Sequence, residues 1–132
     1  MKLSLCIAVF NEEKNLHYPL DSALDLVDEV VIVDGGSTDR TIEVAKSYGK
    51  KVRVINSDNP VMFHNNKQKA IEAARGEWIL QLDADEELSE DLKKEISNLL
   101  KNQISNIKDQ KIKDITRSRG EGKEYDKECK HN

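Results

Sequence analysis

Four apolar runs, each followed by a polar turn and a segment of helical spacing, organise the first hundred residues. Leu3 to Phe10 is almost uninterrupted, as expected of a strand covered on both faces. Glu12 to Leu26 follows, with Leu16, Leu20, Ala23 and Leu24 at helical spacing and Pro19 as a kink or division. Val30 to Val33 predicts a second strand, which stops at Asp34-Gly35-Gly36-Ser37-Thr38-Asp39. The glycines permit a tight turn, and Ser37, Thr38 or Asp39 can cap a helix running to about Tyr48 that buries Ile42, Val44 and Ala45. Val52 to Ile55 predicts a third strand. After Asn59-Pro60, a helix from about Asn65 to Arg75 presents Ala70, Ile71, Ala73 and Ala74 to the sheet. Trp78 to Leu82 predicts the fourth strand, and Ser89 is the N-cap of a helix through Leu92, Ile96, Leu99 and Leu100, with Glu90 and Asp91 in its first turn.

Strands alternating with helical crossovers predict a mostly parallel sheet with helices on both faces. In such sheets ligands bind beyond the carboxyl ends of the strands. Those ends carry Asn11 and Glu12, Asp34 to Asp39, Ser57 to Asn59, and Asp83 to Glu87, so acidic or amide groups stand at every exit. Phe10-Asn11-Glu12-Glu13 cannot replace the Gly-x-Gly-x-x-Gly turn of a dinucleotide site, and a Walker A loop is missing. A phosphate cradle must then come from a metal and a cationic side chain.

Charge and cysteine content narrow the partners. The chain has 132 residues and a net charge of -4. Residues 1 to 100 carry 12 basic and 19 acidic groups, whereas the remainder carries 9 and 6. An acidic main body argues against nucleic acid, because backbone phosphates need a positive footprint. No stretch approaches the roughly 20 apolar residues of a membrane span, and Met1 to Phe10 reads as a strand rather than a signal peptide. Cys6 and Cys129 make no disulfide framework, which points to the cytosol. His17 and His131 lack a ligand cluster, and His64 reads as a loop residue.

Asp83 and Asp85 suit a hard divalent cation. Mg²⁺ or Mn²⁺ prefers oxygen ligands and is commonly held by one or two carboxylates plus substrate phosphates. The other reading is a solvated turn whose acids favour the following helix N-terminus.

The stretches LSLCIAVFNEEKNL, VVIVDGGSTDRTIEVAKSYG and FHNNKQKAIEAARGEWILQLDADEELS, in this order, resemble the N-terminal, nucleotide-sugar-binding half of family 2 glycosyltransferases of the GT-A type. Within that family the likeness is to lipopolysaccharide core or surface-polysaccharide enzymes. The resemblance implies an α/β, Rossmann-like GT-A nucleotide-diphospho-sugar transferase fold, mostly parallel sheet with flanking helices, in truncated form. It also implies that Phe10, Asn11 and Glu12 line the base and ribose, that Asp34 receives the base, and that Lys67 approaches the diphosphate as a flexible point charge. Asp83 resembles the acid that contacts ribose or a metal-bound water, and Asp85 the direct ligand of Mg²⁺ or Mn²⁺.

The implied reaction is inverting transfer of a sugar from a nucleoside diphosphate sugar to the hydroxyl of a polysaccharide or lipid-linked acceptor, in the cytoplasm or at the inner face of the membrane. Residues 1–100 read as the donor-binding half domain and 101–132 as a helical extension with a polar, disordered tail. No general base is identified, because the resemblance fades before the segment that normally carries it. Two other readings stand beside this one: a sugar nucleotidyltransferase, and a non-catalytic nucleotide-sugar-binding or assembly module that uses Ile96, Leu100, Ile104 and Ile107 to hold a protein partner.

Overall fold

The computed structural model describes residues 2–57 and 63–102, for Phe63 and His64 the backbone only. Four strands, β1 (Leu3–Val9), β2 (Glu29–Asp34), β3 (Val52–Asn56) and β4 (Trp78–Gln81), alternate with helices α1 (His17–Ala23), α2 (Thr41–Lys46), α3 (Phe63–Ala73) and α4 (Glu90–Lys101). The chain divides into two compact units, residues 1–87 and 88–132.

All strand pairs are parallel, in the order β3-β2-β1-β4. Burial follows that order. Every residue of β1 and β2 is buried, whereas the edge strands β3 and β4 are mostly half-exposed. The unbroken apolar runs of the two central strands thus reflect cover on both faces. One cover is α3, which packs on β1 and β2. The fully buried Ala70 permits close approach, and its carbonyl accepts the Cys6 thiol at 3.4 Å.

Helix boundaries depart from the sequence pattern for local reasons. Instead of starting at Glu12, α1 begins at His17, after turns in which Glu12 O accepts the Asn15 and Leu16 N–H groups. Pro19 therefore sits in the first helical turn, where its missing N–H breaks no intrahelical bond, and it neither kinks nor divides the helix. Similarly, α2 is shorter than its apolar spacing implies. Arg40 is its N-cap without a side-chain cap bond, but Asp39, one residue earlier, accepts the Thr41 N–H at 2.9 Å and so satisfies a donor of the first turn, whereas Ser37 and Thr38 do not cap the helix. Ala45 is buried as expected, with Thr41, while Ile42 and Val44 are half-buried. By contrast, Ser89 caps α4 as its sequence predicts, its hydroxyl accepting the Leu92 N–H at 3.1 Å. Within that second unit Leu92 and Ile96 are buried. Ile104, Ile107, Cys129 and His131 lie outside the described residues.

A buried carboxylate ties the amino-terminal edge of the sheet together. Glu29, 4% exposed, accepts the Ser4 hydroxyl at 2.7 Å, Arg53 Nη2 at 3.3 Å and the Arg75 N–H at 2.5 Å. Arg53 also donates to the Ala73 carbonyl at 2.7 Å, which closes the last turn of α3 onto β3. Gly76 donates its N–H to Ser4 Oγ, and a Cβ there would fall 2.6 Å from the same oxygen, so only glycine fits this turn. Burial pushes the Glu29 carboxyl up, but the bonds from Arg75, Ser4 and Arg53 outweigh it and hold the group below the usual range.

Glu29→Ala leaves three buried or half-buried donors without their acceptor and is expected to cost about 3 kcal/mol in chemical denaturation at pH 7. Because the folded-state pKa is depressed, the stability Glu29 contributes is full above its unfolded value of about 4.3 and disappears as pH falls through the folded value. The cost of Glu29→Ala should therefore shrink below about pH 4. A cost independent of pH would show that the carboxylate is not the linking group.

Candidate functional site

The strand order reverses at β1, which lies between β2 and β4, and this switch point is where open α/β sheets place ligands. The loops leaving β1 and β2 are joined there by two bridging hydroxyls. Ser37 Oγ accepts the Asn11 N–H at 2.8 Å and donates to Asp34 Oδ1 at 2.6 Å. Thr41 Oγ1 accepts the Glu12 N–H at 2.8 Å and donates to Asp39 Oδ1. In each bridge an amide of the first loop reaches a carboxylate of the second through one hydroxyl.

Asn11 reinforces the joint. Its Oδ1 accepts the N–H groups of Thr38 and Asp39 at 2.8 and 3.3 Å. The residue adopts φ 52°, a left-handed backbone that asparagine tolerates better than most side chains. Phe10, just before it, is 36% exposed at the mouth of the sheet. Glu12 is half-exposed and accepts Asn15 Nδ2 at 3.0 Å.

Asp34 is buried, and its Oδ2 accepts the N–H groups of Gly36 and Ser37, both at 2.9 Å. Gly36 has φ 97°, the conformation that turns these amides back onto the carboxylate. Asp34 therefore organises its own turn. Asp39 is handled likewise: burial pushes its carboxyl up, while bonds from the Thr41 hydroxyl and N–H and the Glu13 N–H hold it low.

On the other side of β1, the strand β4 gives way to a turn in which the Asp83 N–H donates to Glu86 Oε1 at 2.8 Å and the Glu86 N–H donates to the Asp83 carbonyl at 3.0 Å. Leu82 and Ala84 are buried, while Asp83 is half-exposed and Asp85 exposed. The alternation turns both carboxylates away from the core. Lys67 Nζ lies 3.1 Å from Asp83 Oδ1, its side chain 12% exposed against 44% for Asp83. Asp85 has no side-chain hydrogen bond or ion pair among the described residues.

Asp83, Asp85 and Lys67 therefore gather beside the β1 exit, and Asn11, Glu12 and Asp34 form a bonded unit on its far side. The neighbouring cations differ in placement. Lys69 donates to Ser57 Oγ at 3.1 Å beyond β3, whereas the Arg75 N–H is bound to Glu29 at the opposite edge. The His64 side chain lies outside the described residues. Thr41 was not singled out from the sequence, and Ser37 and Glu86 stood there only as a candidate helix cap and a strand-exit acid, because their partners are set by a meeting of loops or by a turn closure. A separate depression of about 540 Å³, lined by residues including Leu20, Asp21, Tyr48 and Lys51, contains none of the strand-exit groups.

Among the described residues no three His, Cys, Asp or Glu side chains converge on one point. The Asp83–Asp85 pair nevertheless fits Mg²⁺ or Mn²⁺: neither carboxylate is buried, Asp85 has no partner among the described residues, and such ions need only one or two carboxylates when phosphates complete the shell.

The parallel sheet with flanking helices and acidic strand exits is a Rossmann-like, GT-A-like fold. The pattern that defines glycosyl transferase family 2 matches residues 4–110, and the chain belongs to that family. A TPR repeat-containing protein of Synechococcus elongatus is 44% identical over 87 residues, covering 66% of this chain and 21% of that protein. S. aureus TarS 1–349, solved with UDP-GlcNAc, superposes with a TM-score of 0.64 at 26% identity, covering 80% of this chain and 33% of the other. Glucosyl-3-phosphoglycerate synthase from Mycobacterium tuberculosis, solved with Mn²⁺, UDP and glucosyl-3-phosphoglycerate, gives 0.53 at 26% identity, with 63% and 33% covered. The chain thus spans about a fifth of that curated relative and a third of each solved chain.

Ser37→Ala removes the acceptor of the Asn11 N–H and a donor to Asp34 together, with an expected cost of about 1.5 kcal/mol. Thr38→Ala, at an exposed hydroxyl 3.4 Å from Asn11 Oδ1, should cost less than about 0.5 kcal/mol. Denaturant titration compares the two, and equal costs would contradict a bridging role for Ser37.

Proposed function

We propose that this chain carries the donor site of a glycosyltransferase that moves a sugar from a nucleoside diphosphate sugar to an acceptor hydroxyl. The observation that carries this reading is the grouping at the β1 switch point. An exposed Asp85, without a partner among the described residues, stands beside the Asp83–Lys67 pair, opposite the joined Asn11 and Asp34 loops. Phe10, Asn11 and Glu12 line the base and ribose in this reading, with Asp34 at the base. Asp85 holds Mg²⁺ or Mn²⁺, Asp83 contacts ribose or a metal-bound water, and Lys67 offers its ammonium to the diphosphate.

Uridine diphosphate donors are favoured by the UDP-GlcNAc of S. aureus TarS and by the Mn²⁺ and UDP of the mycobacterial synthase. When bound, the cation neutralises charge that develops on the departing diphosphate. The protein's own contribution is preorganisation: the joined loops fix Asn11 and Asp34 before the ligand arrives, so binding orders few further groups. Glu86, engaged with the Asp83 N–H, shapes the turn and is not assigned as the general base.

The proposed acceptor is a polysaccharide or lipid-linked glycan of the cell envelope, including lipopolysaccharide, and the proposed setting is the cytoplasm or the inner membrane face. Among the described residues no helix is long and apolar enough to cross a membrane.

Calorimetric titration with UDP, other nucleoside diphosphates and their sugars, with and without Mn²⁺, tests the site. Metal-dependent binding is expected for at least one of them, and Asp85→Ala should weaken it about tenfold or more. Equal binding by wild type and Asp85→Ala, or no binding across the panel, would remove the basis for a donor site.

A further inference from the structure

Building on that donor-site reading, we propose that Lys67 and Asp83 form an exchangeable counter-ion pair. Lys67 neutralises Asp83 until a divalent cation reaches the Asp83–Asp85 carboxylates, and it then passes from Asp83 to the diphosphate.

Three features of the structure lead there. The ammonium lies 3.1 Å from the carboxylate that would face the incoming metal. The pair is lopsided, because the lysine is largely covered while the aspartate is open to solvent. A cation from solution can therefore approach Asp83 from the side the lysine does not occupy. Finally, Asp85, two residues on, is exposed and has no ion-pair partner among the described residues.

A dication held by Asp85 beside Asp83 would offset the attraction that holds the ammonium and add repulsion to it. The lysine stem can re-aim its charge without moving the backbone, a freedom that a guanidinium fork lacks. That backbone is fixed, since α3 packs on β1 and β2 through the buried Ala70 and its last turn is closed by Arg53. Lys69, the other described lysine of α3, is bonded to Ser57 beyond β3. Within the described part of this helix, Lys67 is thus the cation placed toward β4.

The exchange makes metal and diphosphate mutually dependent. Diphosphate alone must draw Lys67 from Asp83 and then sits near two unneutralised carboxylates. Metal alone must compete with Lys67. Each ligand removes the other's obstacle, which is a reciprocal coupling.

The test uses the full 132-residue chain and follows free Mn²⁺ by electron paramagnetic resonance, first without nucleotide and then with UDP, while calorimetry reads UDP affinity. Lys67→Met should bind Mn²⁺ alone about fivefold more tightly than wild type, the factor for a lost partly exposed ion pair. The gain in UDP affinity on adding Mn²⁺ should fall about fivefold in the same variant. Asp83→Asn supplies the converse: with Lys67 released, UDP binding without metal should rise by about the same factor.

Unchanged or weaker Mn²⁺ binding in Lys67→Met overturns the exchange. Loss of UDP affinity in that variant with metal binding unaltered makes Lys67 a simple phosphate contact and likewise overturns it, while leaving the donor site standing. If Asp85→Ala alters neither ligand, it is the donor-site reading that fails. Thermal melts of all variants confirm that the folded chain is being compared.

Discussion

The Glu29 carboxylate is buried where β1, β2, β3 and the turn between α3 and β4 meet, and it receives donors from three of these segments. Such a group is costly to bury unless each oxygen is satisfied, so its partners can be placed in few ways. One consequence is long-range. By holding the end of α3 and the start of the chain toward β4, the network sets how α3 runs back along the sheet and where β4 pairs with β1. Lys67 near the start of α3 and Asp83 after β4 come together at the other edge because both elements are anchored at this one.

The two sides of the switch point are built differently. On the β2 side, every named group is engaged: amides, hydroxyls and carboxylates of two loops satisfy one another, and Asn11 takes a left-handed backbone to complete the set. On the β4 side the geometry is open, with a half-exposed ion pair and the exposed Asp85, which has no partner among the described residues. Rigid recognition on one side and loosely held charge on the other suit a ligand with a planar base at one end and a diphosphate at the other. In the proposed donor site, orientation would come from the joined loops and electrostatic response from the Lys67–Asp83 side.

The chain belongs to glycosyl transferase family 2, whose pattern matches residues 4–110. The chain corresponds to about a third of the solved S. aureus and mycobacterial structures, and the family pattern over residues 4–110 takes in both of these sides.

Much of this was legible along the chain. The apolar runs of Leu3 to Phe10 and Val30 to Val33 announced parallel strands covered on both faces, because such strands lack polar alternation. The same rule placed Asn11, Asp34, Asp83 and Asp85 at strand exits, and three ordered motifs identified the family. Helix boundaries were less accessible, since apolar spacing over 12–26 did not reveal the turns that delay α1 to His17. The partners lay beyond sequence altogether. Ser37 meets Asn11 across 26 residues, Arg75 meets Glu29 across 46, and Lys67 Nζ comes within 3.1 Å of Asp83. Local sequence fixes which groups stand at a strand's end, because strand period and turn chemistry are local. Which of those groups touch is decided by strand order and helix anchoring, and these exist only once the sheet has assembled.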